Sequence, residues 1–342
     1  MTSSEWGPNT TAIHAGEAEG PDIAAPIRMA TTFSFANADQ AAHAFEHENL
    51  PIYTRWNNPT VDALGNKVAA LEGAEAGLAA ASGMAAIASA LLTVLRAGDH
   101  LVATTGLYSG TYHLVQHDLP ALGIETTLAE ATDPAAFAAA IRPTTRAIYL
   151  ESPGNPSFAL NDIAAIVEIA RAHNLVTLID NTFASPINQR PHALGVDVVL
   201  HSATKFLCGH GDAIAGAITG TESFIEQVRR GTLRNLGGVL SPFNAWLVAR
   251  GVQTLPLRMA RHNENALLLA EWLASHPAVA EVRYPFHPSH PQYELARRQM
   301  SGGGGVLVFE LKGGYEAGKQ ALNRVRLCSL TVSLGDTKTL IT

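Results

Sequence analysis

The chain has 342 residues, of which 47% are hydrophobic, and its 23 basic and 30 acidic side chains give a formal net charge of −7. This length predicts about two domains with a sizeable core, and the mild acidity gives no electrostatic attraction to nucleic acid or to anionic membranes. Two cysteines, Cys208 and Cys328, are too few for a disulfide framework. Residues 1–9 lack a signal-peptide pattern, and no apolar run reaches the roughly 20 residues of a membrane span. We therefore expect a soluble cytoplasmic protein.

The first 55 residues show no sustained hydrophobic period, and we interpret residues 1–55 as an N-terminal arm that contacts a neighbouring subunit. Within this arm, the run TTFSF at 31–35 predicts a short strand. From Val61 onward apolar residues recur at helical spacing. Ser82-Gly83-Met84 then begins a small-residue helix that ends near Gly98.

Five apolar runs predict buried strands, at residues 100–105, 146–150, 175–179, 196–200 and 213–219. A helix over 163–173, capped by Asn161 and Asp162, lies between the second and the third. Strands that are apolar on both faces and alternate with helices indicate a parallel sheet that is covered on both sides. We therefore predict a doubly wound α/β large domain over 56–242, with its ligand at the carboxyl ends of the strands.

Beyond Pro242 the pattern changes. One long helical stretch is predicted from Phe243 past Pro256 to Leu273, followed by a loop rich in His and Pro and by a β-type run over 305–311. We interpret residues 243–342 as a smaller C-terminal α+β domain. Glycines 302–305 precede a strand rather than a helix, which favours flexibility or close packing over a nucleotide-binding loop.

Polar residues follow the predicted strands of the large domain at one edge of the sheet. They are Asn155, Asp180, Ser202, Thr204 and Lys205, and Ser82-Gly83-Met84 begins a helix nearby. This set fits pyridoxal phosphate (PLP): a helix N-terminus and hydroxyls bind the phosphate, a carboxylate keeps the pyridine nitrogen protonated, and a desolvated lysine forms a Schiff base. Each residue alone has an ordinary alternative as a cap, a turn residue or a surface lysine. Their common position favours the cofactor site.

The run from Ser202 to Asp212, SATKFLCGHGD, resembles the lysine signature of the Cys/Met-metabolism family of PLP enzymes. That family includes methionine γ-lyase, cystathionine γ-synthase, cystathionine γ-lyase and the O-acylhomoserine sulfhydrylases. Further matching motifs occur in order along almost the whole chain: Tyr53-Thr54-Arg55 with Asn58-Pro59-Thr60, Ser82-Gly83-Met84, Tyr108-Ser109-Gly110-Thr111, Glu151 to Pro156, Asp180-Asn181-Thr182 and Ser333-Leu334-Gly335-Asp336. The resemblance implies a PLP-dependent transferase fold of type I (aspartate aminotransferase-like), with a mostly parallel seven-stranded sheet.

The resemblance also implies roles. Lys205 would hold PLP as a Schiff base and later move protons between substrate carbons, Asp180 would pair with the pyridine nitrogen, and Tyr108 would stack on the ring and take part in proton transfer. The phosphate would be surrounded by Ser82, Gly83, Met84, Ser202 and Thr204. Tyr53 and Arg55 would bind the phosphate of the neighbouring subunit, in a homotetramer built as a dimer of dimers. Asn155 would face the 3′-oxygen of the cofactor or the substrate carboxylate.

The expected substrate pocket comprises Gly110, Asn155, Val332 and Ser333. Val332 stands where cystathionine-handling relatives have a glutamate, which favours an uncharged thioether, and the segments 240–242 and 309–314 look most like methionine γ-lyase. Two departures from that enzyme are Gly110, at the place of its reactive cysteine, and Arg234-Asn235, in place of its Lys-Asp pair. We expect γ-elimination on methionine or a related small sulfur-containing or O-acylated amino acid, giving 2-oxobutanoate, ammonia and a thiol. O-acylhomoserine sulfhydrylase, cystathionine γ-synthase and cystathionine γ-lyase activities remain alternatives.

Other classes of protein have little support in the sequence. It contains no Gly-x-Ser-x-Gly elbow, no Walker loop and no His-Glu-x-x-His or paired-cysteine spacing, so we expect no metal site. A non-catalytic interaction module is the second class of hypothesis, and the joint presence of Lys205, Asp180 and Tyr108 argues against it. Relatives continue past the Ser333–Asp336 motif with the arginine that binds the substrate α-carboxylate, so we expect that arginine beyond Thr342.

Overall fold

The computed structural model of the chain describes residues 6–16, 21–47 and 50–342. The predicted N-terminal arm, 1–55, therefore lies partly outside the described residues. Its described part contains two short helices, α1 (Pro8–His14) and α2 (Ala38–His47). The strand predicted over 31–35 is wrong, since only an isolated antiparallel bridge joins Thr32 to Tyr53. Two further backbone hydrogen bonds flank this bridge, which is too short a ladder for a strand.

A seven-stranded sheet lies at the centre of the molecule. Its strands are β1 (Ala76–Ala80), β2 (His100–Thr104), β3 (Glu125–Ala129), β4 (Thr145–Glu151), β5 (Val176–Asp180), β6 (Val198–His201) and β7 (Gly216–Gly220). The strand order is β1-β7-β6-β5-β4-β2-β3, in which β7 pairs antiparallel with both neighbours and every other pair is parallel. The predicted α/β fold with a mostly parallel seven-stranded sheet is confirmed. Five of these strands correspond to predicted runs, whereas β1 and β3 were missed.

The remaining helices connect and cover the strands. They are α3 (Pro59–Glu72), α4 (Gly83–Val94), α5 (Ser109–His113), α6 (Leu119–Ala121), α7 (Pro134–Ala140), α8 (Ile163–Ala172), α9 (Ser185–Asn188), α10 (Glu222–Val228), α11 (Arg234–Leu236), α12 (Pro242–Val252), α13 (Leu255–Ser275), α14 (Tyr293–Gln299) and α15 (Gly314–Arg324). The prediction of a single helix from Phe243 to Leu273 is wrong, because a short turn separates α12 from α13. Pro256 occupies the first turn of α13, where its missing N–H costs no hydrogen bond.

Apolar clusters cover the sheet on both faces, and side chains alternate between them along each strand. Tyr149, Leu178 and Leu200 pack on the face that α4 covers. Their neighbours Ile148, Ile179 and Val199 pack on the opposite face, which α8 covers. This alternation decides which residues at the strand ends face α4, and therefore which of them line the site.

The C-terminal part contains a second core. Residues of α13 pack against β8 (Val279–Arg283), which pairs antiparallel with β9 (Val308–Leu311). Two short parallel strands, β10 (Ser329–Leu330) and β11 (Leu340–Ile341), follow. The helix α12 packs with α3 of the large domain through Ala245 and Val248. The boundary at 242/243 stays a prediction.

The glycines at 302–305 are closely packed. A Cβ on Gly305 would lie 2.9 Å from the ring of His262, and one on Gly303 would meet the ring of Tyr284. Close packing therefore explains this run. Within the ranges that the structure covers, no helix combines the length and the hydropathy needed to cross a membrane.

Candidate active site

The N-terminus of α4 faces the turn that follows β6. Ser82 caps this helix, since its hydroxyl accepts a hydrogen bond of 3.0 Å from the backbone N–H of Ala85. A Cβ on Gly83 would lie 2.8 Å from the Cβ of Ser202 and 3.1 Å from its Oγ. The N–H groups of the helix start and the Ser202 hydroxyl lie together and thus form a cradle suited to a phosphate group.

Lys205 lies on the turn after β6, next to this cradle. Its Nζ donates a hydrogen bond of 3.0 Å to the Oγ of Ser333. Burial lowers the pKa of Lys205, and the negative charge of Asp336 opposes this shift. Thr204, one residue earlier, both donates to the carbonyl and accepts from the N–H of Ala215, at 3.1 Å each. The lysine amine is therefore partly desolvated and points at a residue near the C-terminus of the chain.

Arg258 of α13 anchors the turn that carries Lys205 through hydrogen bonds to backbone carbonyls. Its guanidinium donates to the carbonyls of Phe206 at 2.7 Å and of Gly251 at 2.8 Å. Burial lowers the pKa of Arg258 to about 10. Sequence reasoning missed this residue, because its partners are backbone atoms that no motif reveals.

Two carboxyl groups lie side by side at the ends of β4 and β5, since Glu151 and Asp180 are paired residues of the ladder. Oδ1 of Asp180 accepts a hydrogen bond of 2.9 Å from the N–H of Thr182. Burial raises the pKa of Asp180, while the Thr182 hydrogen bonds and the charge of His201 oppose the rise. Burial, and then the charge of Asp180, raise the pKa of Glu151 well above its usual range. Asp180 is thus a buried acid that a cationic partner would stabilise.

Glu151 also connects this edge to Tyr108, since its Oε2 accepts a hydrogen bond of 2.9 Å from the N–H of Tyr108. Sequence reasoning missed Glu151, although the signal is a charged residue at the end of a buried strand. Tyr108 is 45% exposed and stands just before α5. A Cβ on Gly110 would lie 2.7 Å from Cε1 of Tyr108 and 3.2 Å from Sδ of Met84. Tyr108, Gly110 and Met84 therefore form one corner of the site.

The other predicted site residues are placed less centrally. Arg55 stacks over the ring of Tyr53, 5.5 Å from its centroid, and donates a hydrogen bond of 3.2 Å to the carbonyl of Arg234. Asn155 is half-buried, and its N–H donates to the carbonyl of Gly106 at 2.9 Å. Val332 is 86% exposed, although Ser333 beside it contacts Lys205.

The residues present fit PLP by the chemistry of their donors and acceptors. The cradle at Gly83 would be filled by a Cβ and suits a phosphate dianion, and the amine of Lys205 has a lowered pKa. Asp180 is a buried carboxyl whose remaining acceptor capacity suits a protonated pyridine nitrogen. The three groups belong to the ends of β5 and β6 and the start of α4, at one edge of the sheet.

Comparison with known proteins gives three findings. A family model described as Cys/Met metabolism PLP-dependent enzyme matches residues 9–342. The chain is 46% identical to an L-methionine gamma-lyase of Fusobacterium nucleatum subsp. nucleatum, over 100% of this chain and 88% of that protein, and 42% identical to an O-succinylhomoserine sulfhydrylase of Pseudomonas aeruginosa, over 97% and 83%. A solved structure, titled as that of metB from Corynebacterium glutamicum, superposes with a TM-score of 0.94 at 38% identity, covering 99% of this chain and 88% of that one.

Proposed function

Because this chain belongs to the Cys/Met metabolism family of PLP-dependent enzymes, we propose that it catalyses γ-elimination on methionine or a related small sulfur amino acid. The products would be 2-oxobutanoate, ammonia and a thiol. The observation that carries the proposal is the half-buried amine of Lys205, hydrogen-bonded to Ser333 beside the Gly83 cradle. The choice of methionine is supported by the 46% identity to the L-methionine gamma-lyase of Fusobacterium nucleatum.

Four groups would hold the cofactor. Lys205 would bind its aldehyde carbon, Asp180 its pyridine nitrogen, and the start of α4 with Ser202 its phosphate, while the Tyr108 ring would cover one face. Bound there, PLP supplies an electron sink that stabilises negative charge at the α-carbon of an amino acid. The roles of Ser82, Met84, Thr204 and Asn155 around the cofactor also stay proposals. In the structure the Thr204 hydroxyl forms hydrogen bonds with the backbone of Ala215.

Lys205 is the group best suited to move protons. Because burial lowers its pKa, a larger share of the amine is neutral near neutral pH than for an exposed lysine. A neutral amine accepts a proton from carbon and returns it to a neighbouring carbon, as general acid–base catalysis requires. The Oγ of Ser333 accepts a hydrogen bond from Nζ and so orients the nitrogen.

Tyr108 and Gly110 would act at the side chain of the substrate. The backbone of Tyr108 is held by Glu151, and its ring lies over Gly110. Because Gly110 has no side chain, the Tyr108 ring can pack directly on its backbone, which holds the ring at the edge of the site. The Tyr108 hydroxyl would donate a proton to the substrate sulfur as the bond to the γ-carbon breaks.

A second candidate reaction is γ-replacement on an O-acylated homoserine. It is favoured by the 42% identity to the O-succinylhomoserine sulfhydrylase of Pseudomonas aeruginosa. Elimination and replacement share every group named above. In replacement, sulfide adds to the γ-carbon as the acyl group leaves, whereas in elimination that carbon gains a proton and water hydrolyses the released imine to 2-oxobutanoate and ammonia. Val332 and Ser333 would line the pocket in both cases.

We also propose a cytoplasmic homotetramer, built as a dimer of dimers with shared sites. Arg55 lies over the ring of Tyr53, and large apolar side chains of the N-terminal segment are exposed, among them Ile23 and Met29. These features support burial against another copy. The free thiols of Cys208 and Cys328 support a reducing compartment.

One incubation series tests the proposal. The purified protein with added PLP is given methionine, or O-succinylhomoserine with and without sulfide, and 2-oxobutanoate, thiol and homocysteine are measured. We expect 2-oxobutanoate and a volatile thiol from methionine, and no product with Lys205→Ala. If the protein converts the homoserine ester to homocysteine but does not convert methionine, the reaction is γ-replacement and the proposal of γ-elimination is wrong. If PLP-loaded protein converts no substrate, the enzymatic assignment is overturned.

A further inference from the structure

Beneath the site, on the opposite face of the sheet, four polar side chains form one buried network. His201 Nε2 lies 2.7 Å from Oε1 of Glu72, and Asn181 Nδ2 donates to the same oxygen at 2.8 Å. Gln189 Nε2 donates to Oδ1 of Asn181 at 3.0 Å and to the carbonyl of Ser152 at 2.9 Å. The network thus joins α3, the end of α9 and the carboxyl ends of β4, β5 and β6.

The alternation of side chains places this network one residue away from the site at β5 and β6. Asn181 follows Asp180, and His201 precedes Ser202. Because consecutive residues of a strand point to opposite faces, Asn181 and His201 lie in the network, whereas Asp180 and Ser202 face α4. At β4 the network reaches only the backbone carbonyl of Ser152, next to Glu151. Whatever fixes the network therefore fixes the direction of the carboxylate and the hydroxyl on the other side.

The network is costly to bury. Glu72 is 1% exposed, His201 2%, Asn181 0% and Gln189 2%, and Oε2 of Glu72 and Oε1 of Gln189 have no hydrogen-bond partner within the described ranges. Apolar side chains of similar size would fill the same space without that desolvation cost. The contact of 2.7 Å between the Glu72 carboxyl group and the His201 ring, both removed from water, has the short length that charge-assisted hydrogen bonds have.

We propose that His201, held by Glu72, is a positioning residue for the cofactor: together with Asn181, the buried pair fixes the carboxyl end of β5, which carries Asp180. Asp180 in turn would pair with the pyridine nitrogen. The charge of His201 also acts to lower the pKa of Asp180, against the larger effect of burial. The inference rests on the role of Asp180 in the proposed function and is independent of the choice of substrate.

Glu72→Gln is the sharpest test, because glutamine keeps the volume and the acceptor Oε1 but removes the carboxylate that His201 contacts. His201→Gln removes the imidazole ring of the pair. The matched control is His192→Gln. His192 also has two hydrogen-bond partners, the carbonyl of Val196 and Oγ1 of Thr219, but it contacts neither Glu72 nor the strand ends that carry the site. For each variant, apoprotein is titrated with PLP, the dissociation constant and the absorbance spectrum of the bound cofactor are recorded, and unfolding of the apoprotein is followed separately.

We expect both network variants to weaken PLP binding by ~10-fold or more, the size of effect seen when outer partners of a ligand are removed, and to change the absorbance of the bound cofactor. The double variant should bind PLP no more weakly than either single variant, since the two residues act as a pair. The dissociation constant of the His192→Gln control should stay within about twofold of that of the unaltered protein, because His192 is independent of the site. Should His201→Gln fail to fold, Glu72→Gln carries the test.

Asp180→Asn separates the two possible failures. If Asp180→Asn impairs PLP binding while Glu72→Gln and His201→Gln leave the dissociation constant and the spectrum as in the unaltered protein, the positioning role is wrong and the site assignment stands. If Asp180→Asn itself has no effect on binding or spectrum, the assignment of the pyridine partner is wrong, and the inference falls with it.

Discussion

Gly83 and Ser202 face each other so closely that a Cβ on Gly83 would lie 2.8 Å from the Cβ of Ser202. The backbone of α4 therefore approaches the turn after β6 to a distance that only glycine permits without a shift. Since a helix N-terminus and a hydroxyl meet at this point, the approach brings two kinds of hydrogen-bond donor side by side, and we place the cofactor phosphate against them. The relationship can be tested by adding a single methyl group.

Gly83→Ala should weaken PLP binding by ~10-fold or more, because the methyl group occupies the cradle and displaces Ser202. The matched control is Gly318→Ala in α15, where a Cβ meets no atom within 4 Å. That change should leave binding unaltered and stabilise the fold by about 0.5–1 kcal/mol through helix propensity. Titration of apoprotein with PLP measures the first effect and chemical unfolding the second. Equal PLP affinity in the two variants would contradict the position of the phosphate.

Glu151 should make the cofactor-free protein less stable as the pH rises. Burial raises the pKa of Glu151 above its usual 4.5, so the unfolded chain loses this proton at a lower pH than the folded chain. The stabilisation is complete below about pH 4.5 and is lost as the pH rises through the raised folded value, with a slope of up to about 1.4 kcal/mol per pH unit.

Glu151→Gln should flatten this decrease, as measured by unfolding of apoprotein at a series of pH values. The exposed Glu271 provides the control, since Glu271→Gln should leave the pH dependence as it is. A pH dependence that Glu151→Gln does not alter would show that this carboxyl ionises alike in the folded and unfolded chains.

Arg258→Lys should lower the free energy of unfolding by about 1–3 kcal/mol, because one ammonium group cannot replace a guanidinium that serves the carbonyls of both Phe206 and Gly251. Cofactor binding should weaken as well, since the turn that carries Lys205 loses its anchor. Arg261→Lys on the same helix is the control. Arg261 pairs with Glu264, but its side chain is 68% exposed, so its replacement should lower the free energy of unfolding by less than about 0.5 kcal/mol. Similar losses in both variants would argue against the anchoring role.

The sequence predicted strands well where apolar residues form continuous runs, as in β4 and β6. It missed β1, in which all residues of Ala76–Ala80 except Leu78 are alanine or glycine, which strands do not favour. The direction of β7 was also not predictable, because it depends on pairing with β1, which lies far away in the chain. The strand expected at 31–35 has a suitable composition but lacks a ladder of sufficient length, which composition alone does not reveal.

For the site, the rule that ligands lie at the carboxyl ends of parallel strands was enough to bring Asp180, Ser202 and Lys205 to one edge. Residues that act through partners from distant elements were missed. His201 is adjacent to Ser202 in the sequence, but its role depends on Glu72 of α3. Contacts of this kind are set by packing, which local patterns do not encode.

Reduction of the PLP-loaded protein with borohydride tests the central claim most directly, since it makes any linkage between the cofactor and a lysine permanent. After proteolysis, we predict that the peptide containing Lys205, and no peptide containing another lysine, gains the mass of one phosphopyridoxyl group. Lys205→Ala should abolish the labelled peptide. Labelling at a different lysine, or retention of the label in Lys205→Ala, would contradict the assignment of Lys205 and the site built around it.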